Sequence, residues 1–183
     1  MAKKSNRNTR GRIVSAAWKL FYEQGYEDTT VEEIIELSGT SKGSFYHYFD
    51  GKDALLSTLS SLFDEKYEEL TGLLTPEMTA MEQLLFLNRE LFHMIEDSIS
   101  LDLLARLYST QLTTNGEKHL LDHNRIYYKL LRKIIAKGQA EGQLSSRSNV
   151  NEMVKLYALC ERALLYDWCL CAGEYALTEY SAK

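Results

Sequence analysis

The chain has 183 residues, 45% of them hydrophobic, with three Cys, ten Gly and a single Pro. Its 21 Lys and Arg stand against 26 Asp and Glu, a formal charge of −5. That length suits one or two domains with a packed core, the apolar content excludes a disordered chain, and the scarcity of breakers favours helices.

Apolar residues recur at three- and four-residue steps, and no segment alternates as a strand would. A first helix is expected from Arg7 to Gln24, with Ile13, Ala16, Ala17, Leu20 and Phe21 inward and Gly25 as its left-handed end. Thr30 and Glu33 form a T-x-x-E capping box for a second helix, which stops at Gly39. Ser41 caps a third, from Lys42 to Phe49. Two such short helices joined by a tight Gly-containing turn must cross steeply to bury both faces, the helix-turn-helix geometry.

A longer helix is expected from Asp53 to Leu74, then one from a Thr75-Pro76 cap to Asp97, one from Leu101 to a stop at Asn115-Gly116, and one over Glu117–Ala140. The last long helix, Asn149–Ala172, carries apolar residues on two sides: Val154, Tyr157, Leu165 and Trp168 on one, Leu156, Leu159, Cys160, Ala163 and Leu170 on the other. A helix apolar all round is buried all round, which points to both its own core and a second subunit. The expected fold class is all-α.

The third helix opens as Thr40-Ser41-Lys42-Gly43-Ser44. A recognition helix presents short polar groups to base edges and phosphates at its N-terminal end, where free N–H groups also favour phosphate. Gly43 lets the backbone approach a groove closely, Lys42 supplies charge, Ser41 and Ser44 supply hydroxyls, and Tyr46, His47 and Tyr48 follow. The first twelve residues add Lys3, Lys4, Arg7, Arg10 and Arg12 with no acid, whereas residues 53–183 hold 13 basic and 19 acidic side chains. The basic arm should add salt-dependent phosphate attraction.

Residues 29–55, TTVEEIIELSGTSKGSFYHYFDGKDAL, together with residues 9–28, TRGRIVSAAWKLFYEQGYED, resemble the DNA-binding segment of the TetR family of transcriptional regulators. The resemblance implies phosphate contacts at Thr30, Tyr46, Tyr48 and Lys52. Tyr48 stands where the family usually has His, Gly51 where it has Ser, and Thr40 where it has Val. The resemblance also implies a helix-turn-helix domain over 1–52 and a helical regulatory and dimerisation domain over 53–183 with a small-molecule pocket. Family members usually dimerise through their last two long helices, and here only ten residues follow Gly173.

Three apolar stripes each carry one polar interruption, Asn88, Asn124 and Glu161, and buried polar groups need partners that a ligand could supply. Tyr108, Tyr127, Tyr128 and Tyr157 are the aromatic candidates for lining such a pocket. His119 and His123 lack an evident third ligand, so no metal is expected. No Gly-rich phosphate loop or nucleophile motif is present, so neither a cofactor nor an enzyme activity is expected. No apolar run approaches the roughly 20 residues of a bilayer span, and sparse cysteine with a polar N-terminus fits a reducing cytoplasm. The expected protein is a homodimeric repressor released from a palindromic, double-stranded DNA operator by a small-molecule effector. The alternative is a DNA-binding factor without a small-molecule ligand, controlled by a protein partner.

Overall fold

The computed structural model describes residues 2–113 and 118–181, with side chains described over 9–113 and 118–180. Every regular element among them is helical, and no helix is long and apolar enough to cross a membrane. The first three helices are α1 (Ala2–Glu23), α2 (Val31–Ser38) and α3 (Lys42–Tyr48), and each packs on the other two. They enclose Ile13, Ala17, Phe21, Ile34 and Phe45, all essentially without solvent exposure. Gly25 ends α1 at φ +90°, and Gly39 ends α2 at φ +59°, backbone states that favour glycine.

The long helix expected over 53–74 is two: α4 (Lys52–Leu56) and α5 (Leu59–Thr71). The break lies at Ser57-Thr58, whose hydroxyls donate back to Ala54 O at 2.7 Å and Leu55 O at 2.6 Å. Thr58 N bonds Leu55 O, three residues back, which tightens the turn, and Trp18 Nε1 from α1 donates to Thr58 Oγ1 at 2.8 Å. Hydroxyls that compete for local carbonyls interrupt a helix that apolar spacing alone would continue.

Next come α6 (Ala80–Ser98) and α7 (Leu101–Thr113). The cap of α6 is Thr79 with Glu82 in a complete capping box, not Thr75-Pro76 as expected. The same T-x-x-E signature stands in the sequence a few residues later and was the stronger signal. The expected stop of α7 at Asn115-Gly116 lies outside the described residues. The helix expected over 117–140 is instead a 3-10 turn at His119–Leu121, a short loop, and α8 (Ile126–Ala140). Asp122 Oδ1 accepts from Asn124 N at 2.8 Å, a local Asx turn that holds the chain out of the helix.

Finally, α9 (Val150–Leu170) starts from an Asn149–Glu152 capping box, and α10 (Leu177–Ser181) folds back onto α6. There Glu96 accepts from Leu177 N and, at 2.8 Å, from Thr178 Oγ1. Helices α5, α6, α8 and α9 pack around Leu87, Phe92, Ile95, Tyr128 and Leu131, while α7 rests on α9 and on α4.

Candidate functional site

The outer face of α3 follows from its length. Phe45 and Phe49 turn into the core, so Lys42, Gly43, Tyr46 and His47 are left exposed on the opposite side. Ser41 caps the helix: its Oγ accepts from Ser44 N at 3.1 Å and lies 2.9 Å from Ser44 Oγ. Thr40 Oγ1 is 2.8 Å from Ser38 Oγ inside the turn. Tyr48 is half-buried, with its ring against His47 at 4.8 Å between centroids. A Cβ added at Gly43 would meet nothing nearer than Ser41 Oγ at 3.9 Å. Nothing inside the fold requires glycine there, so the bare backbone is a feature of the outer face.

Thr30 is exposed at the start of α2, with its hydroxyl donating to Glu33 Oε2 at 2.7 Å and accepting from Glu33 N at 3.2 Å. The Thr30 backbone N–H, donating to Glu33 Oε2 at 2.7 Å, and then the Thr30 hydroxyl hold the Glu33 carboxyl below its ordinary range. Lys42 reaches Glu32 at 3.5 Å across an exposed surface, a pair too screened to hold the ammonium from another partner. Two arginines of the basic arm contact the fold itself. Arg12 donates to the carbonyls of Ser38 and Gly39, pinning the turn, and the Arg10 guanidinium lies 5.4 Å from the Phe49 ring centroid. The side chains of Lys3, Lys4 and Arg7 lie outside the described residues.

Lys52 takes a structural position. Its ammonium donates to the carbonyls of Tyr26 at 2.6 Å, Thr29 at 2.9 Å and Glu27 at 3.2 Å, and stands 4.3 Å from the Tyr26 ring centroid. All three N–H donors are engaged, so a phosphate at Lys52 competes with the α1–α2 loop. The same loop is tied to the rest of the chain: Tyr26 donates to Asp53, and Arg106 on α7 pairs with Glu27 and Asp102 while lying 4.9 Å from the Tyr26 ring centroid. Burial, followed by the bond to Asp53, raises the Tyr26 phenol well above its ordinary value.

A second constellation lies between α5, α6, α8 and α9. Glu161 on α9 is 6% exposed, and its carboxyl accepts from Asn88 Nδ2 at 2.8 Å and from the Tyr127 hydroxyl. Tyr157 donates to Leu84 O at 2.9 Å. Tyr108, Tyr127 and Glu161 line a cavity of about 50 Å³, together with Tyr67 and Arg125, which apolar spacing had hidden among core and loop positions. Arg125 is neutralised by Asp64 through two bonds of 3.0 Å. Tyr128 is buried beside this group, donating to Leu120 O at 3.1 Å and accepting from Arg162 at 3.1 Å. Asn124, expected with Asn88 and Glu161, is exposed in the loop before α8 and joins neither. His123 is exposed and packs against the Tyr128 ring, with centroids 4.6 Å apart. Asn88 also lines a wider open groove of about 590 Å³ beside α6 and Thr178 of α10.

Burial raises the Glu161 carboxyl above its ordinary value of 4.5, and the bonds from Asn88 and Tyr127 pull it only part of the way back. Between the ordinary and the raised value the folded chain holds a proton that the unfolded chain has released, so stability falls as pH rises through that window. A Glu161→Gln variant is therefore expected to gain stability relative to the parent as pH rises above 4.5 and to converge with it below. Urea midpoints at acid and neutral pH measure this directly.

Two short capped helices joined through a left-handed glycine, the second bare and polar on its outer side, define a helix-turn-helix DNA-binding fold in an all-α chain. Residues 13–59 match the family described as bacterial regulatory proteins, tetR family. The regulator QacR of Staphylococcus aureus is 36% identical over 62 residues, 34% of this chain and 33% of its own length. The uncharacterised regulator YvdT of Bacillus subtilis is 26% identical over 139 residues, 75% of this chain and 71% of its own. The first curated relatives are matched over only 22–33% of their length. Among solved structures, FadR of Thermus thermophilus, a TetR-family transcriptional repressor in complex with lauroyl-CoA, superposes with a TM-score of 0.76 at 25% identity. That likeness covers 93% of this chain and 88% of that one.

Proposed function

We propose that the protein is a homodimeric, sequence-specific DNA-binding transcriptional regulator, a repressor that leaves a palindromic operator when a small-molecule effector binds. Residues 1–52 form the DNA-binding domain in this reading and residues 53–183 the regulatory and dimerisation domain. The observation that carries it is the outer face of α3, where Lys42, Tyr46 and His47 surround a glycine that the fold itself does not need. Thr30, Thr40, Ser41, Ser44 and Tyr48 flank that face and contribute hydroxyls to phosphates or bases, and Lys52 supports the surface from behind.

The dimer is read from α9. Its inner side buries Val154, Ala158, Glu161, Leu165 and Trp168, while Leu156, Leu159 and Leu170 stand 61%, 53% and 67% exposed on its other side. A two-fold pairing of that stripe would set two α3 helices about one DNA turn apart, ~34–36 Å. The Arg106 contacts with Glu27 and Tyr26 supply the mechanical link between the effector cavity and the α1–α2 loop. A shift of α7 on α9 reaches the DNA-binding helices through them, which is coupling between two sites. FadR of Thermus thermophilus, solved in complex with lauroyl-CoA, supports a small-molecule ligand on a fold of this kind.

Gel-shift titration against the DNA upstream of the protein's own gene tests the reading. One palindromic segment is expected to bind at least roughly a thousandfold more tightly than unrelated DNA of the same length. Binding without sequence preference overturns it.

A further inference from the structure

By position, Arg10 and Arg12 belong to the basic first dozen residues, but in the fold both engage the ends of α3. The Arg10 guanidinium lies 5.4 Å from the ring centroid of Phe49, the residue that closes α3, and Arg12 holds the turn that precedes it. In that turn Gly39 N donates to Glu36 O at 3.0 Å and Thr40 N to Ile35 O at 3.1 Å, which finishes α2. The carbonyls of Ser38 and Gly39 receive no backbone N–H among the described residues. Arg12 Nη2 donates to both, to Gly39 O at 2.8 Å, and bonds from a charged donor are the stronger kind. The approach is close enough to need a bare backbone: a Cβ on Gly39 would stand 2.7 Å from Arg12 Nη2. Gly39 therefore serves both the left-handed turn, at φ +59°, and the seat of the guanidinium.

The consequence is angular. Thr30 stands at the start of α2, and Lys42, Gly43, Tyr46 and His47 stand on the outer face of α3. The turn fixes one set relative to the other. Base readout needs side chains placed to hydrogen-bond precision, whereas attraction to phosphates needs only charge. We propose that Arg12 is a positioning residue for operator recognition. It sets the angle between α2 and α3 through the Ser38 and Gly39 carbonyls and neutralises no phosphate, because its bonded nitrogen faces the turn. This rests on the DNA-binding reading above and adds a determinant of specificity that touches no base. Lysine is no substitute, since its ammonium ends short of the guanidinium nitrogens and is a strongly hydrated point charge without the planar fork.

The test is fluorescence anisotropy of the full chain on the operator found by gel shift and on an unrelated duplex of equal length, over a series of salt concentrations. Arg12→Met and Arg12→Lys are both expected to bind the operator roughly tenfold or more weakly than the parent, and unrelated DNA within about twofold of it. The dependence of log affinity on log salt should keep its slope in Arg12→Met, whereas loss of a phosphate contact would flatten it by about 0.9. Circular dichroism should show unchanged helix content. Full operator affinity in Arg12→Met, parental behaviour of Arg12→Lys, a flattened slope, or equal losses on both duplexes (the mark of a chain merely destabilised) each overturns the inference. A parent that binds both duplexes alike removes the DNA reading and this inference with it. A selective parent whose Arg12→Met variant is equally selective removes this inference alone.

Discussion

A Leu159→Glu variant is expected to be a monomer in light scattering and to bind operator DNA roughly a thousandfold more weakly than the parent. Leu159 is 53% exposed within the protomer, so the substitution disturbs no internal packing. Its place is the centre of the outer stripe of α9, between Leu156 and Leu170. In a two-fold interface the same patch meets itself, so the new carboxylate would face its own copy across a desolvated surface. Once the protomers separate, each α3 binds one half-site alone and the gain from linked binding disappears. Circular dichroism should show the same helix content. A dimer retained at micromolar concentration would place the interface elsewhere.

Gly43→Leu should separate folding from DNA recognition. Helix interiors favour Ala over Gly by about 0.8–1 kcal/mol and Leu nearly as much, a gain that is smaller in the first turn where Gly43 lies, and a Cβ here meets nothing closer than 3.9 Å, so thermal stability should stay level or rise. A branched side chain on the outer face of α3 would stand between the helix backbone and a DNA groove. Operator affinity is expected to fall by roughly a hundredfold or more, with Gly43→Ala intermediate. Fluorescence anisotropy on an operator duplex measures it, and unchanged affinity would remove this face of α3 from the DNA interface.

The turn and the two short helices around it were legible to within a residue or two because their signals are local, whereas α1 begins five residues before the expected Arg7. The Thr30–Glu33 box, the Gly39 stop and the Ser41 cap are each decided by neighbours three or four residues apart, and all three appear in the structure. The two-sided pattern of α9 was legible for the same reason, since helical spacing sorts Val154 and Leu165 from Leu156 and Leu159 without reference to any other element. The start of α6 obeys the same local rule, since the Thr79–Glu82 box and not Pro76 sets it.

Local spacing is silent about which distant groups share a cavity. Asn88, Tyr127 and Glu161 stand on three helices, and their bonds span 34 and 73 residues of sequence. Asn124 resembled them in sequence and was lost to an Asx turn. Tyr67 fits the apolar stripe of α5 by spacing, and only the fold leaves its buried hydroxyl without a partner.

Charge shows the division most clearly. The sequence establishes a net −5 with a basic first dozen residues, an all-helical chain, and a short polar helix behind a glycine turn. Those properties depend on composition and on contacts within one or two helical turns. Folding decides what each charge is for. Arg12 closes the turn before α3, Lys52 clamps the α1–α2 loop, Arg106 ties that loop to α7, and Arg125 is cancelled by Asp64, while Glu161 is held by the neutral donors of Asn88 and Tyr127. A charge acts on what lies within a few ångströms of it, and for these residues those neighbours come from other parts of the chain.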